Sequence, residues 1–346
     1  MSVLHQYNCN VLMDHSKFLN EMYSNVSSSA SANESNAYKI NQCLFNIIID
    51  KGLREVPIKK RKLQDQELNE ECSRVKDMYE QFLDKLPPEF KRSPLKNGSS
   101  EVRDLAQKLF EATVFEHKGI IGGNNSDSAL ICSVKDEQFL IPSNCSFYCG
   151  CVKEQCDKLT GKFDIVVADP PWWNKYIRRL KHANDKLSYS MMYNEDIASI
   201  PVKNLLSPNC LVAMWCTNAP SNIAAVKDLI FPQWGVEYLT TWYWLKVTTD
   251  MEPLCEFSSG CKKQPYERII LGKVGDVTVP EEQLIVSVPS ALHSHKPPLL
   301  ELLSPYVKTS NPQILELFAR YLLPNTTSVG FEPLKWQHVS LYEKVS

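Results

Sequence analysis

The strongest constraint on the fold is a regular alternation, in the second half of the chain, between short apolar runs and helical stretches. The apolar runs lie at 139–141, 163–168, 210–215, 238–245, 268–271, 284–288 and 313–318. Alternation of this kind predicts a mainly parallel sheet with helices on both faces, which is an α/β fold. No G-x-G-x-x-G pattern follows these runs, so neither a P-loop NTPase nor an ordinary dinucleotide-binding domain is indicated. We assign residues 127–346 to this α/β domain.

The first third of the chain has a different character. Residues 1–37 show no clear period and include a Ser- and Asn-rich stretch at 24–36, which predicts a flexible segment and linker. Residues 38–120 have the pattern of a mainly helical N-terminal domain that could contact nucleic acid. Apolar residues at 75, 78, 79 and 82 follow the spacing of an amphipathic helix across 64–86, and a second helix is predicted at 101–115. The glycine-containing loop at 119–127 marks the predicted domain boundary.

Charge and cysteine content narrow the function only slightly. The net charge is -2, so a nucleic-acid partner would need a local basic surface. Lys-Lys-Arg-Lys at 59–62 is interpreted as a nuclear localisation signal or a nucleic-acid contact, against the simpler alternative of a solvated charge run. The 12 cysteines show no paired C-x-x-C spacing and follow no secretory signal, which predicts buried reduced thiols and no metal site. No apolar run reaches the length of a membrane span.

Asp169, Pro170, Pro171 and Trp172 directly follow the apolar run at 163–168. That run predicts a buried strand, and open α/β sheets bind their ligands at the carboxyl ends of strands. The acid accepts hydrogen bonds, the prolines stiffen the turn and contribute carbonyls, and the tryptophan offers a flat face for stacking. The four residues therefore suit a planar ring with an exocyclic amine, although a proline turn with Asp169 as a helix cap explains them equally well.

Three further stretches add to this candidate site. Ser294-His295-Lys296-Pro297-Pro298 predicts a helix N-terminus that attracts a carboxylate. Arg320 follows the apolar run at 313–318, where a strand's carboxyl end would present it to a carboxylate or a purine. A basic segment directly after Trp172 suits contact with a phosphate backbone. Its basic residues are Lys175, Arg178, Arg179, Lys181, His182 and Lys186. The simpler readings are a capped surface helix, a surface arginine and a solvated loop.

The order D-P-P-W, H-K-P and E-L-F-x-R resembles the MT-A70 family of adenine N(6)-methyltransferases. In that family the catalytic motif precedes the cofactor motif, a permuted order. The stretches at 169–175, 207–211, 242–246, 263–272 and 318–320 are similar in particular to the methyltransferase-like protein 4 branch. The resemblance begins at about residue 130 and continues to the C-terminus. It implies a Rossmann-like S-adenosylmethionine-dependent methyltransferase fold, with the helical region as a smaller N-terminal domain.

The resemblance also implies roles for individual residues. Asp169 and the Pro170 carbonyl would hold the amine of the target adenine, with Pro171 completing the catalytic turn and Trp172 stacking on the base. The implied cofactor contacts are Cys151, Val152, Asp169, Lys296, Arg320 and Glu332. The implied nucleic-acid contacts are Asn174, Lys175, Arg178, Arg179, Lys181, Tyr189, Lys246 and Glu267.

Two positions depart from the family pattern. Family members commonly carry Gly-Asn-Glu or Gly-Asn-Gln near the end, where this chain has Gly330, Phe331 and Glu332. Glu332 can accept from ribose hydroxyls, but Phe331 cannot replace the hydrogen bonds of an asparagine. The stretch at 150–152 also lacks an acid that is often found at the amino end of the cofactor.

These observations predict an enzyme that methylates the N-6 amine of adenosine in RNA, with S-adenosylmethionine as cofactor. By resemblance, the target is a 2′-O-methylated internal adenosine of a spliceosomal small nuclear RNA. DNA adenine presents the same base edge and is the alternative substrate, and a catalytically silent nucleic-acid-binding subunit is the alternative class. A stacked base must be extruded before it can react, which an aromatic platform would assist. We expect a monomer without membrane association that resides in the nucleus, with the cytoplasm as a second location.

Overall fold

The computed structural model describes residues 2–28, 31–47, 66–91, 99–113, 117–173, 191–258 and 263–345. These residues form one eleven-stranded and one five-stranded sheet. The strands in chain order are β1 (Val3–Tyr7), β2 (Asn10–Met13), β3 (Val26–Ser28), β4 (Ser31–Ile40), β5 (Ile121–Asn124), β6 (Ala129–Val134), β7 (Glu137–Ile141), β8 (Cys145–Cys149), β9 (Phe163–Ala168), β10 (Leu206–Cys216), β11 (Glu237–Lys246), β12 (Tyr266–Val274), β13 (Leu284–Ser287), β14 (Ile314–Leu317), β15 (Thr326–Gly330) and β16 (Tyr342–Val345).

The helices are mostly short. They are α1 (His15–Met22), α2 (Gln66–Asp84), α3 (Ser99–Ala112), α4 (Val152–Lys158), α5 (Asn194–Ala198), α6 (Pro220–Ala225), α7 (Phe231–Trp234) and α8 (Leu300–Leu303). A π-helical turn, Val226–Ile230, joins α6 to α7. Short 3-10 turns occur at Gln42–Phe45, Pro88–Phe90, Val202–Leu205, Ser304–Tyr306, Lys335–Gln337 and Val339–Leu341. Within the parts of the chain that the structure describes, no helix is both long and apolar enough to cross a bilayer.

The large sheet has the strand order β1-β2-β13-β11-β12-β10-β9-β14-β15-β8-β5. Among its described strands, β1–β2, β10–β12, β11–β12 and β5–β8 pair antiparallel. The other six pairings are parallel. The prediction of an α/β fold is therefore confirmed as a mixed sheet with a parallel majority. The strands β10, β9, β14 and β15 are adjacent and parallel, so their carboxyl ends share one edge.

Both faces of the central strands are buried. On β9, Ile165 and Val167 belong to one apolar core, whereas Val166 and Ala168 belong to the core on the opposite face. A strand that is covered on both sides needs apolar residues at every position, which explains the uninterrupted run that predicted it.

The N-terminal residues join the large sheet, which differs from the predicted flexible segment at 1–37. β1 and β2 form a hairpin, and β2 pairs in parallel with β13, opposite Ile285. Short strands of this kind carry little periodicity and are stabilised mainly by the sheet that they extend, so the sequence pattern alone did not reveal them.

The two predicted helices are present as α2 and α3, but their packing differs from that of a separate helical domain. Val75, Tyr79 and Phe82 of α2 pack against Tyr243 and Leu245 of β11. Residues of α3 likewise belong to a core of the large sheet. The described residues before position 120 therefore share the cores of the α/β domain. The predicted boundary at 119–127 includes β5, which forms an edge of the same sheet.

Candidate active site

Asp169 is the first residue after β9, and three side chains from distant parts of the chain approach its carboxylate. The Ser294 hydroxyl donates to Oδ2 at 3.1 Å, and Nη1 of Arg320 donates to the same oxygen at 3.3 Å. Nζ of Lys296 lies 3.9 Å from Oδ1. Because β9 and β14 are adjacent and parallel, the residues that follow them meet at one edge of the sheet. The structure thus brings together the D-P-P-W, H-K-P and strand-end arginine that the sequence suggested.

Lys296 links Asp169 to a second acid. Its ammonium forms an ion pair with Glu267, and Glu267 also pairs with Lys246. The Lys296 side chain is only 14% exposed and lies over the Trp215 ring, 5.1 Å from its centroid. Acid and base therefore alternate along the network, which compensates each charge that the site buries.

The pKa values of this network favour the charged forms. Burial raises the pKa of Glu267, but the charges of Lys296 and Lys246 outweigh burial and hold it at about 2. Burial lowers the pKa of Lys296, while Asp169 and Glu267 raise it, and the net result is a pKa above the ordinary lysine value. The Lys296–Glu267 pair is therefore ionised at neutral pH.

The helix after Lys296 differs from the prediction. We expected a helix beginning at Pro297 whose N-terminus attracts a carboxylate, but α8 begins only at Leu300, with Leu299 as its cap. Each proline biases the preceding residue away from helical geometry, so consecutive prolines delay the first turn. The carboxylates are instead attracted by the Lys296 ammonium itself.

The turn after Asp169 is fixed by its own hydrogen bonds. The Trp172 N–H donates to the Pro170 carbonyl at 2.8 Å, and the Met192 N–H donates to the Pro171 carbonyl at 2.9 Å. The Trp172 indole N–H donates to the Trp215 carbonyl at 3.1 Å, and its side chain is largely buried. The Pro170 oxygen keeps a second lone pair for a ligand. Stacking of Trp172 on a base stays a prediction, and only a small part of the residue is exposed for it.

A cavity of about 480 Å³ opens beside this turn, and we call it the Asp169 cavity. Its wall combines the D-P-P-W turn, Lys296 and Glu267 with polar residues from the ends of β10 and β11. These include Thr217, Asn218 and Lys246. Of the predicted nucleic-acid contacts, Lys246 and Glu267 thus line the Asp169 cavity. The others lie outside the described residues: Asn174, Lys175, Arg178, Arg179, Lys181 and Tyr189.

A second cavity of about 330 Å³, the Glu332 cavity, lies at the carboxyl ends of β8, β14 and β15. Four of the predicted cofactor residues line it, namely Cys151, Val152, Arg320 and Glu332. The two cavities share Pro171, Met191 and Arg320, so they meet at the D-P-P-W turn. The other two predicted cofactor residues, Asp169 and Lys296, line the Asp169 cavity.

The residues of the Glu332 cavity fit a nucleoside that bears a cationic sulfonium. Glu332 forms an ion pair with Lys335 at 3.0 Å, which holds a carboxylate where ribose hydroxyls could donate to it. Phe318 and Phe331 supply apolar wall, and Phe331 is 37% exposed. Asp196 also lines this cavity, so its wall holds a second acid beside Glu332. Among the described residues, no cluster of His, Cys, Asp and Glu could hold a metal ion.

Sequence reasoning missed several residues of the site. Asp196 carried no signal in the sequence for its place in the Glu332 cavity. Ser294 belongs to a stretch that the sequence did indicate, but its hydrogen bond to Asp169 was not predicted. Glu316 lies inside the apolar run of β14 and was assigned no role from the sequence. Burial and the nearby Asp169 raise its pKa to about 8, so Glu316 is mainly protonated at neutral pH.

The chain is similar in sequence to a known protein family and to several known proteins. Residues 163–332 match the MT-A70 family model. The chain is 38% identical over 234 residues to human N(6)-adenine-specific methyltransferase METTL4, which covers 63% of this chain and 48% of that protein. It is 40% identical over 215 residues to a Caenorhabditis elegans DNA N6-methyl methyltransferase, covering 58% and 55%. It is 37% identical over 210 residues to the N6-methyladenosine RNA methyltransferase MTA1 of Cryphonectria parasitica, covering 57% and 60%. The chain thus spans about half the length of the METTL4 relatives it matches.

Proposed function

We propose, from the premise that this chain belongs to the MT-A70 family, that the protein methylates the exocyclic N-6 amine of adenine in a nucleic acid. Family membership implies S-adenosylmethionine as the methyl donor. The observation that carries the proposal is the junction of the two cavities at Pro171 and Arg320, directly beside Asp169. A base in the Asp169 cavity and a cofactor in the Glu332 cavity would meet at that turn.

The residues at the junction suit an amine that must become nucleophilic. The lone pair of adenine's exocyclic nitrogen is delocalised into the ring, which makes it a poor nucleophile. The Asp169 carboxylate and the Pro170 carbonyl would each accept one N–H of this amine and so favour a pyramidal nitrogen. The bound cofactor supplies an electrophilic methyl group on sulfur. Positioning of the amine then accounts for most of the rate, and no covalent nucleophile is required.

Lys296 and Arg320 orient the acceptor rather than react. Both cations lie at Asp169, with Nζ at 3.9 Å and Nη1 at 3.3 Å, and Ser294 adds a hydroxyl donor. These contacts fix the carboxylate and leave its remaining lone pairs for the amine. Glu332 and the Lys335 that pairs with it would hold the ribose of the cofactor.

The nucleic acid is proposed to be RNA, and specifically a 2′-O-methylated internal adenosine of a small nuclear RNA. The likeness to a fungal protein named as an RNA methyltransferase supports this choice. The basic segment at 175–186 supports nucleic-acid contact in general. DNA is the second candidate, and the relative named as a DNA methyltransferase favours it. We also propose that the protein is a monomer and that it acts in the nucleus. The basic run at 59–62 supports the nuclear location.

The test offers RNA and DNA oligonucleotides side by side, with labelled S-adenosylmethionine, and identifies the methylated nucleoside by mass spectrometry. We expect N6-methylated adenosine from RNA. Asp169→Asn should reduce transfer by about 100-fold or more, because the amine loses an ionised acceptor. The matched control is Asp276→Asn, since Asp276 forms an exposed ion pair with Lys308 and neither residue lines the two cavities.

Each outcome has a separate meaning. Methylation of DNA alone would replace the RNA proposal with the DNA one. No uptake of cofactor in a calorimeter, together with no transfer to any oligonucleotide, would indicate a silent nucleic-acid-binding subunit. Full activity of Asp169→Asn would refute the role assigned to that carboxylate.

A further inference from the structure

Arg268, on β12, is a buried charge that the proposed reaction does not use. Only 1% of the residue is exposed, and its guanidinium binds Glu71 of α2 through two nitrogens. One of these contacts, from Nε to Oε2 of Glu71, measures 3.2 Å. The Tyr266 hydroxyl also donates to Glu71, at 3.2 Å. A guanidinium buried this completely is strongly oriented, because its planar fork must satisfy several partners at once.

The third nitrogen of this guanidinium reaches the wall of the Asp169 cavity. Nη1 of Arg268 donates to the side-chain oxygen of Asn218, and Asn218 lines that cavity. Because a guanidinium has donors and no acceptor, it can face only the oxygen of the amide. The NH₂ group of Asn218 therefore turns away from Arg268. Nδ2 of Asn218 donates one N–H to the Tyr266 carbonyl at 3.4 Å. Within the described parts of the chain its second N–H has no protein acceptor, so it is available to a ligand.

Asn218 and Asp169 lie at the same edge of the sheet. β10 and β9 are adjacent and parallel, with Met214 opposite Ala168. Asp169 follows β9 directly, and Asn218 is the second residue after β10. The cavity wall thus offers an acceptor after one strand and a donor after its neighbour.

We propose that Asn218 is a specificity-determining residue whose NH₂ group donates to a ring nitrogen of the target adenine, and that Arg268 is the positioning residue that orients it. The inference rests on the proposed function, because it assumes that adenine enters the Asp169 cavity. Adenine presents its amine donor between two ring acceptors, N1 and N7. An acceptor for the amine together with a donor for one of these nitrogens complements that pattern. A base with a carbonyl oxygen in place of the amine would place one acceptor against another, the Asp169 carboxylate, and would bind less well.

The test is a double-mutant cycle between the protein and the base. A labelled oligonucleotide with a single adenine is compared with the same oligonucleotide carrying 1-deazaadenine or 7-deazaadenine, and binding is measured by fluorescence anisotropy. Asn218→Ala should weaken binding to adenine by about tenfold, the usual effect of one lost hydrogen bond. One of the two analogues should weaken binding to the wild-type protein by a similar factor. The same analogue should bind Asn218→Ala with the affinity that adenine shows for this variant. Cofactor affinity, measured by calorimetry, should stay unchanged.

The role of Arg268 is tested in a background that leaves no buried charge unpaired. The double variant Glu71→Gln, Arg268→Gln should lose adenine binding to the same degree as Asn218→Ala, and adding Asn218→Ala to it should have little further effect. Arg74→Gln is the matched control. Arg74 also joins α2 to the sheet, through Glu282 at 2.6 Å and the Tyr243 hydroxyl at 3.2 Å, but these residues do not line the Asp169 cavity.

The outcomes separate the inference from the proposed function. The role of Asn218 would be overturned if Asn218→Ala and each analogue weakened binding by independent factors, so that the combined loss of affinity equalled their product. An equal loss in Arg74→Gln would overturn the positioning role of Arg268, because it would trace the effect to the docking of α2. A wild-type protein that transfers no methyl group would refute the proposed function, and the binding cycle would still decide the inference.

Discussion

Glu267→Gln tests the charge network at its most informative position. Glu267 lies between the ammonium groups of Lys246 and Lys296, and its side chain is about one quarter exposed, at 26%. The glutamine keeps the size of the side chain and removes its charge. Two lysines would then lie close together without the acid that separates them. Among the described residues, Lys296 would retain Asp169 as its one acidic partner.

The expected magnitude follows from the pKa of Glu267. Burial raises that pKa, yet Lys296 and Lys246 bring it from an ordinary 4.5 to about 2. A displacement of this size corresponds to about 3 kcal/mol in favour of the ionised, folded state at neutral pH. Because the folded pKa is depressed, this stabilisation is complete above about pH 5 and is lost as the pH falls toward 2. About 1 kcal/mol of it should already be lost at pH 4.

The assay is urea unfolding of wild-type and variant protein between pH 7 and pH 4. The free energy of unfolding should be lower in Glu267→Gln by about 3 kcal/mol at pH 7, and the difference should narrow by about 1 kcal/mol at pH 4. Glu282→Gln is the control, since Glu282 and its partner Arg74 are 33% and 49% exposed and such a pair contributes at most about 1 kcal/mol. A difference that stays constant with pH, or is as small as in the control, would refute the reasoning.

Three further predictions concern other parts of the molecule. His295 packs 4.5 Å from the ring of His15, and burial lowers its pKa to about 3. The unfolded chain therefore binds more protons than the folded protein between about pH 6.5 and pH 3. The free energy of unfolding, measured in urea, should decrease as the pH is lowered through this range, and it should decrease less steeply in His295→Phe. Gly272→Ala would bring a methyl group to within 2.7 Å of the Phe231 ring, and we expect a loss of about 1–3 kcal/mol in the same assay. Phe331 forms part of the apolar wall of the Glu332 cavity, so Phe331→Ala should weaken cofactor binding about tenfold in a calorimeter. Phe331→Tyr is the control that keeps a flat ring. Equal cofactor affinities of the wild type and Phe331→Ala would show that this ring does not stack on the cofactor.

The sequence was most informative where the physical cause of structure is local. The run at 163–168 predicted β9 with the bounds that the structure has, since a strand buried on both faces must be apolar throughout. The spacing of Val75, Tyr79 and Phe82 predicted α2 for a similar reason: one face of a helix has to be covered. Neither pattern indicates which part of the protein packs against the apolar face. Only the structure identifies β11 and its neighbours as the partner of α2.

The weak N-terminal strands show the opposite case. β1 and β2 have five and four residues and form a hairpin. The hairpin is joined to the sheet by the pairing of β2 with β13, which lies more than 270 residues later in the chain. No window of sequence contains that information.

The candidate site divides in the same way. The sequence by itself determined Asp169, Pro170, Pro171 and Trp172 as a rigid, acceptor-rich turn at a strand end, and it indicated Lys296 and Arg320 as cations at neighbouring strand and helix ends. The resemblance to a family added a role for these two cations at the cofactor. Only the tertiary structure decided that Ser294, Lys296 and Arg320 reach one carboxylate, that Glu267 stands between two lysines, and that Arg268 orients Asn218. The physical reason is that hydrogen bonds and ion pairs depend on distances of a few ångströms between residues. Those distances are set by which strands lie side by side, and strand order is a property of the whole chain.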